Sequence, residues 1–259
     1  MEQPETPPRL GHTVTDGVAT VVISNPAKRN AMTAGMWRAL PGLLDTLAAD
    51  PAVRALVLTG EGTAFCAGAD ISSLRGPSEP GESAQELAVR AEEALAAFPR
   101  PTLAAVRGHC VGGGCQLAAA CDLRFAARGA TFGVTPAKLG IVYPPSSTRR
   151  LVSLIGPSAA KYLLFSGELI DSARALRTGL VDEVLPDGEL DARVDAFTRV
   201  LVSRSLLTQT AAKEFAAGRD DREAHWAALA AEQAGPGGDT AEGVAAFLER
   251  RAPRFTWRG

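Results

Sequence analysis

Short unbroken apolar runs alternate along much of the chain with stretches whose apolar residues return every three or four positions. The first pattern suits strands buried on both faces and the second suits amphipathic helices, so the alternation predicts an α/β fold. Val18-Ala-Thr-Val-Val-Ile23 is β-rich and runs out at Ser24-Asn25-Pro26. Thr33 then caps a helix carrying Met36, Leu40, Leu43, Leu44 and Leu47. Ala55-Leu-Val-Leu-Thr59 predicts a second buried strand, stopped at Gly60-Glu61-Gly62.

The order then repeats. Residues 83–98 predict a helix closed by Phe98-Pro99-Arg100-Pro101, Thr102 to Val106 a strand entering a glycine cluster, and residues 112–120 a helix. Asp122 to Ala126 predicts another strand, Phe132 to Tyr143 an irregular stretch, and Gly156-Pro157-Ser158 the start of a helix over Ala159 to Ser166. Repeating ββα turns wound into a spiral fit this order. Beyond Gly188 the pattern is helical, with a break at Gly235-Pro236-Gly237-Gly238 and a last helix from Thr240 to Arg251. The expected organisation is a flexible leader at 1–9, a spiral core at 10–187 and a helical region at 188–259 serving as a lid or oligomerisation arm.

At 259 residues and 46% apolar content the chain supports a sizeable core. A formal net charge of −2 provides no broad footprint for nucleic acid or an anionic membrane, although a local basic pocket for a phosphorylated ligand stays compatible with it. The leader lacks the basic and apolar regions of a secretion signal, and no later segment is an uninterrupted apolar span, so a cytoplasmic protein is expected. Cys66, Cys110, Cys115 and Cys121 match neither a zinc ribbon nor a C-x-x-C redox pair and are expected as buried free thiols. No His/Asp/Glu set has metal-ligand spacing, so no metal is implied.

Chemistry concentrates in Phe65-Cys66-Ala67-Gly68-Ala69-Asp70 and Gly112-Gly113-Gly114-Cys115-Gln116. In each, a strand-like run leads through small residues into a helix-like segment whose first N–H groups lack internal partners. Two such turns facing each other form an oxyanion hole, which stabilises developing negative charge without titrating. The glycine cluster lacks the Lys-Ser/Thr end of a P-loop and the full dinucleotide spacing. Ser158-Ala-Ala-Lys161 satisfies the S-x-x-K pattern of some acyl enzymes but looks instead like a helix start.

Asn25-Pro26…Asn30-Ala31-Met32, Phe65 to Ile71, Gly108…Gly112 to Gln116, Cys121-Asp122-Leu123 and Phe132-Gly133…Leu139-Gly140, in this order, resemble the crotonase (enoyl-CoA hydratase/isomerase) superfamily. Gly167-Glu168…Gly179 to Val184 and Ala246 to Arg250 extend the resemblance over roughly residues 10–255. It implies a spiral ββα core with a C-terminal helical region, a homotrimer or dimer of trimers, and an acyl-CoA thioester as substrate, coenzyme A being part of that substrate and no separate cofactor. On this resemblance Ala69 and Gly113 supply the oxyanion N–H groups, and the main chain at Ala67, Gly68 and Ile71 receives the adenine. Lys28 or Arg29 lies in a loop near the ribose, phosphates or pantetheine, and Asp70 belongs to the same CoA-facing turn.

The departures are as informative. Hydratases of the family use two glutamates; here the aligned positions hold Gln116 and Pro136, and the later carboxylate of related isomerases and dehalogenases is Pro144. An acid from an unaligned position, such as Glu61 or Glu168, is one remedy. Thr135-Pro136…Leu139-Gly140…Tyr143 is similar to the methylmalonyl-CoA decarboxylase branch, with Tyr143 the matching pocket residue, although Ala69 stands where that branch has histidine. Loss of CO₂ creates the enolate without a base, which suits the missing glutamates.

Several residues carry a structural reading beside the functional one. Gln116 either positions a substrate group or water or satisfies nearby backbone; Tyr143 is a pocket residue or an aromatic plug. Asp70 resembles a helix cap more than a base, His109 a structural imidazole, and Lys138 a phosphate contact or a surface charge. Three functions stay open: an enzyme forming a thioester enolate at the oxyanion hole without the usual glutamates, a decarboxylase of a malonyl-type CoA thioester using Tyr143, and a noncatalytic acyl-CoA-binding protein.

Overall fold

The computed structural model describes residues 7–70 and 83–259. Among these, nine strands and nine α-helices follow one another as β1 (Arg9–Thr15), β2 (Val18–Ser24), α1 (Ala34–Ala49), β3 (Ala55–Gly60), α2 (Ala84–Ala96), β4 (Thr102–Val106), β5 (His109–Val111) and α3 (Gly113–Ala120). There follow β6 (Leu123–Ala127), β7 (Thr131–Gly133), α4 (Pro145–Ser166), β8 (Ile170–Asp171), α5 (Ser172–Thr178) and β9 (Glu183–Leu185). The helical end comprises α6 (Leu190–Ser203), α7 (Leu206–Ala216), α8 (Glu223–Gln233) and α9 (Asp239–Glu249).

Each turn of chain places one strand in a six-stranded sheet, ordered β1-β2-β3-β4-β6-β9, and a second, shorter piece in a three-stranded sheet, ordered β5-β7-β8. β1 and β2 are antiparallel; β2 to β9 of the larger sheet are parallel. This is the expected spiral of ββα turns. The parallel strands are buried because α1, α2 and α3 pack against one face, around Trp37, Leu40, Leu58, Leu95 and Leu117. The other face is covered by α6, whose Leu190 and Val194 meet Val57, Leu103 and Phe125. Burial of this apolar surface, at about 25 cal/mol per Å², holds the layers together.

The chain's own punctuation sets the helix starts. Thr33 accepts from the Met36 N–H at the head of α1, and Ser83 with Glu86 forms a capping box at the head of α2; such a cap contributes about 1 kcal/mol.

Three elements differ from the sequence pattern. β1 begins at Arg9, opposite Ser24, inside the stretch expected as a leader. β5 is too short to announce itself after Val106. Pro145 opens α4 well before Gly156, because proline fits the first turn of a helix. Gly156, at φ 76 and ψ 162, then divides α4 into residues 145–155 and 157–166. No helix of the described residues is long and apolar enough to cross a membrane.

Candidate active site

The 65–70 segment is held as an extended strip between two others. Cys66 N–H donates to His109 O at 2.8 Å and Val111 N–H to Cys66 O at 3.0 Å, while Met32 N–H donates to Gly68 O at 2.8 Å and Asp70 N–H to Met32 O at 2.9 Å. In this parallel bridge between Met32 and Ala69, the bonds use the atoms flanking Ala69, so its own N–H points away from Met32. Asn30, fully buried at φ 59, explains the Asn-Ala-Met motif: its Nδ2 donates to Glu61 O at 2.9 Å and Ala64 O at 2.7 Å, fixing the loop that feeds the strip.

The second turn follows β5 directly. Gly112 N–H donates to Gly133 O at 2.8 Å, and the first internal bond of α3 runs from Gln116 N–H to Gly112 O, leaving the Gly113 N–H outside the helical ladder. The loops touch. A Cβ built on Gly68 would lie 3.3 Å from Gly113 N, and one built on Gly113 would lie 3.6 Å from Ala69 N and 2.8 Å from Trp37 Cζ2. A Cβ on Gly114 would overlap the Cys66 carbonyl oxygen. Close approach therefore requires Gly113 and Gly114, while Gly68 at φ 104 and Gly112 at φ 55 use the freedom that glycine has at positive φ. Among the described residues neither the Ala69 nor the Gly113 N–H has an acceptor. Trp37, whose buried indole N–H has no partner among the described residues, walls the Gly113 side.

One helical turn beyond Gly113 lies a polar cluster. Gln116 Nε2 donates to Glu92 Oε2 at 2.6 Å and to Ser147 Oγ at 3.1 Å. Ser147 Oγ and Arg150 Nη1 also donate to the Glu92 carboxylate, through Oε2 and Oε1 respectively. Glu92, Gln116 and Ser147 are all buried, at 1%, 5% and 2% exposure. Tyr143 leans in beside Ser147; burial first, then Cys115 and Glu92, pushes its hydroxyl well above the usual tyrosine range, so it keeps its proton.

Glu92 is the residue that motif reading missed. It occupies α2 between Ala88 and Leu95, on the stripe where helical spacing calls for an apolar side chain. A charge on that stripe was the available signal. Glu61 and Glu168, the acids expected to substitute for the missing glutamates, take other partners: exposed Glu61 accepts from Ser24 and exposed Glu168 from Tyr162. Pro136 begins a short 3-10 turn and brings no polar side chain.

The coenzyme-facing positions are partly committed within the protein. Lys28 Nζ and Asp70 Oδ2 form an ion pair at 2.7 Å, which ties the 26–28 turn to the strip; the segment that Asp70 is expected to cap lies outside the described residues. Arg29 Nη1 lies 3.3 Å from His109 Nε2. Ala67 N–H donates to Arg29 O, and Gly68 C=O accepts from Met32 N–H with one lone pair still open. Ile71 lies outside the described residues. Lys138 packs its stem within 3.1 Å of where a Gly167 Cβ would stand. The four cysteines are free and buried, and burial raises Cys66 and Cys121 to about 12, which makes them unreactive thiols.

A family model described as enoyl-CoA hydratase/isomerase matches residues 13–258. A crotonyl-CoA hydratase of Syntrophomonas wolfei is 34% identical over 246 residues, covering 92% of this chain and 94% of that protein. A 2,3-dehydroadipyl-CoA hydratase of Escherichia coli is 32% identical over 250 residues, covering 93% and 96%. A crystal structure of an enoyl-CoA hydratase/isomerase family member superposes with a TM-score of 0.89 at 39% identity, over 98% of this chain and all of the other.

Proposed function

Because this chain belongs to the enoyl-CoA hydratase/isomerase family, we propose that it takes an acyl-CoA thioester with its carbonyl oxygen between the N–H groups of Ala69 and Gly113. The reaction proceeds through the enolate that they stabilise. One observation carries this reading: two backbone donors without acceptors among the described residues, in loops close enough that a Cβ on Gly113 would lie 3.6 Å from Ala69 N. A thioester carbonyl conjugates poorly with sulfur, so its α-carbanion is accessible, and each donor aimed at the developing oxyanion contributes about 2.7–4 kcal/mol in comparable enzymes. The apolar face of α9, where Val244, Phe247 and Leu248 are exposed, supports assembly as a trimer or a pair of trimers; a monomer by mass photometry contradicts it.

The hydratase names of the relatives extend to this chain only as far as its side chains allow. Gln116 holds water or a thioester by hydrogen bonds but does not cycle a proton near neutral pH, and Pro136 offers nothing. Slow hydration of crotonyl-CoA is the expected behaviour. Decarboxylation of a malonyl-type thioester is the second reading, favoured by the Thr135-Pro136…Leu139-Gly140…Tyr143 segment and by Tyr143 standing beside Ser147 of the polar cluster. In it the carbon–carbon bond to the carboxylate breaks, CO₂ departs, the electron pair enters the thioester enolate, and Tyr143 delivers a proton to the α-carbon before recovering one from solvent.

Mass spectrometry of a panel of enoyl, malonyl-type and β-keto CoA thioesters separates these outcomes, because gain of water, loss of CO₂, isomerisation and CoA release give different products. Crotonyl-CoA hydration at rates usual for paired glutamates contradicts the reading of Gln116 and Pro136. Tight acyl-CoA binding with no product from the panel leaves a noncatalytic binder.

A further inference from the structure

Glu92 is a buried carboxylate that the oxyanion chemistry does not use. Both its oxygens are occupied as acceptors, Oε1 by Arg150 and Oε2 by Gln116 Nε2 and Ser147 Oγ. Turning the Gln116 amide over would set its oxygen against Glu92 Oε2 at 2.6 Å, two acceptors with no proton between them. The Ser147 hydroxyl is fixed by the same logic: it gives its one proton to Glu92 and receives from Gln116 Nε2. The remaining atom, Gln116 Oε1, accepts from no described residue.

We infer that Glu92 is a positioning residue whose carboxylate locks the Gln116 amide, so that Gln116 Oε1 meets the ligand beside Gly113 as a fixed hydrogen-bond acceptor. A carboxylate at the family's first glutamate position would both accept and titrate. Here the two properties are divided between residues: the charge sits behind, on α2, and a neutral acceptor faces the ligand. The lock selects ligands carrying a donor near the thioester, and it acts through Gln116 without touching the ligand itself.

The test uses the full-length protein and two probes that share a thioester and differ by one hydroxyl, butyryl-CoA and 3-hydroxybutyryl-CoA, titrated by calorimetry. Wild-type protein binds the hydroxylated probe about fivefold more tightly, the effect of one net hydrogen bond. Glu92→Gln frees the amide to turn and brings the two affinities within about twofold, leaving butyryl-CoA binding unchanged. The double variant Glu92→Gln/Gln116→Glu restores one carboxylate and one amide to the pair, keeps an acceptor at 116 and retains the preference. Gln116→Glu alone opposes two carboxylates and melts below the double variant.

The inference rests on the thioester site proposed above, and the two fail differently. Wild-type protein that binds neither probe overturns both. Wild-type protein that binds butyryl-CoA without preferring its hydroxylated partner overturns the lock alone. So does Glu92→Gln that keeps the preference, or a double variant that melts no higher than Gln116→Glu.

Discussion

Where the glycine loops meet, a single methyl group has no room: on Gly114 it would overlap the Cys66 carbonyl and on Gly113 it would press on Trp37 at 2.8 Å. One helical turn along α3, the same depth of core is filled by three polar side chains from separate elements, Glu92, Gln116 and Ser147, with half-buried Tyr143 beside them. The first region is made of main chain and is indifferent to side-chain identity provided that it stays small. The second is made of side chains and decides where protons go. On the proposed function, the first region sets which intermediate is stabilised and the second sets the reaction drawn from it.

The sharpest way to break the comparison is Gly114→Ala, which should lose at least about 3 kcal/mol of stability, because backbone rather than a flexible side chain is in the way. Denaturant unfolding checks it, and a loss under about 1 kcal/mol means the loops are looser than described. Gly113→Ala should cost less stability, about 1–2 kcal/mol, yet lower turnover about a hundredfold by pushing the donor pair apart. Combining it with Trp37→Phe should recover part of both losses, since the clash is with Trp37 Cζ2; strict additivity contradicts that contact.

On the side-chain half, Tyr143→Phe should leave the affinity for butyryl-CoA within about twofold and lower any decarboxylation by about ten- to a hundredfold. Unchanged decarboxylation removes Tyr143 as the acid. The smallest effect is in pH dependence. Burial pushes Cys66 and Cys121 up to about 12 from the 9.0 of an ordinary thiol, so both are largely neutral in folded and unfolded chains below pH 9. Above it the unfolded thiols lose protons that the folded ones retain, and stability falls from pH 9 towards 12. Urea midpoints that stay level across that window contradict the burial of these thiols.

The main-chain half was legible in the sequence because small residues at fixed places after an apolar strand have few other uses. Thr33, Ala55 to Thr59 and the start of α3 behaved as local pattern predicts. What escaped was set by distant partners. β1 exists through its pairing with β2 and β5 through its pairing with β7; β1 is too exposed to carry an apolar run, and β5, at three residues, is too short for one. Glu92 escaped because motif alignment searches the positions where a carboxylate is expected, whereas this one arrives from α2 across the core. The Lys28–Asp70 ion pair joins residues 42 apart, a pairing that no local pattern announces.

The central claim is that Ala69 and Gly113 share one carbonyl oxygen, and the carbonyl itself reports it. Isotope-edited infrared difference spectra of butyryl-CoA labelled with ¹³C at the thioester carbon should show its C=O stretch at lower frequency when bound than when free, with much of that shift lost in Gly113→Pro, which has no N–H at that position. A bound thioester whose carbonyl absorbs at the frequency of the free molecule contradicts the account.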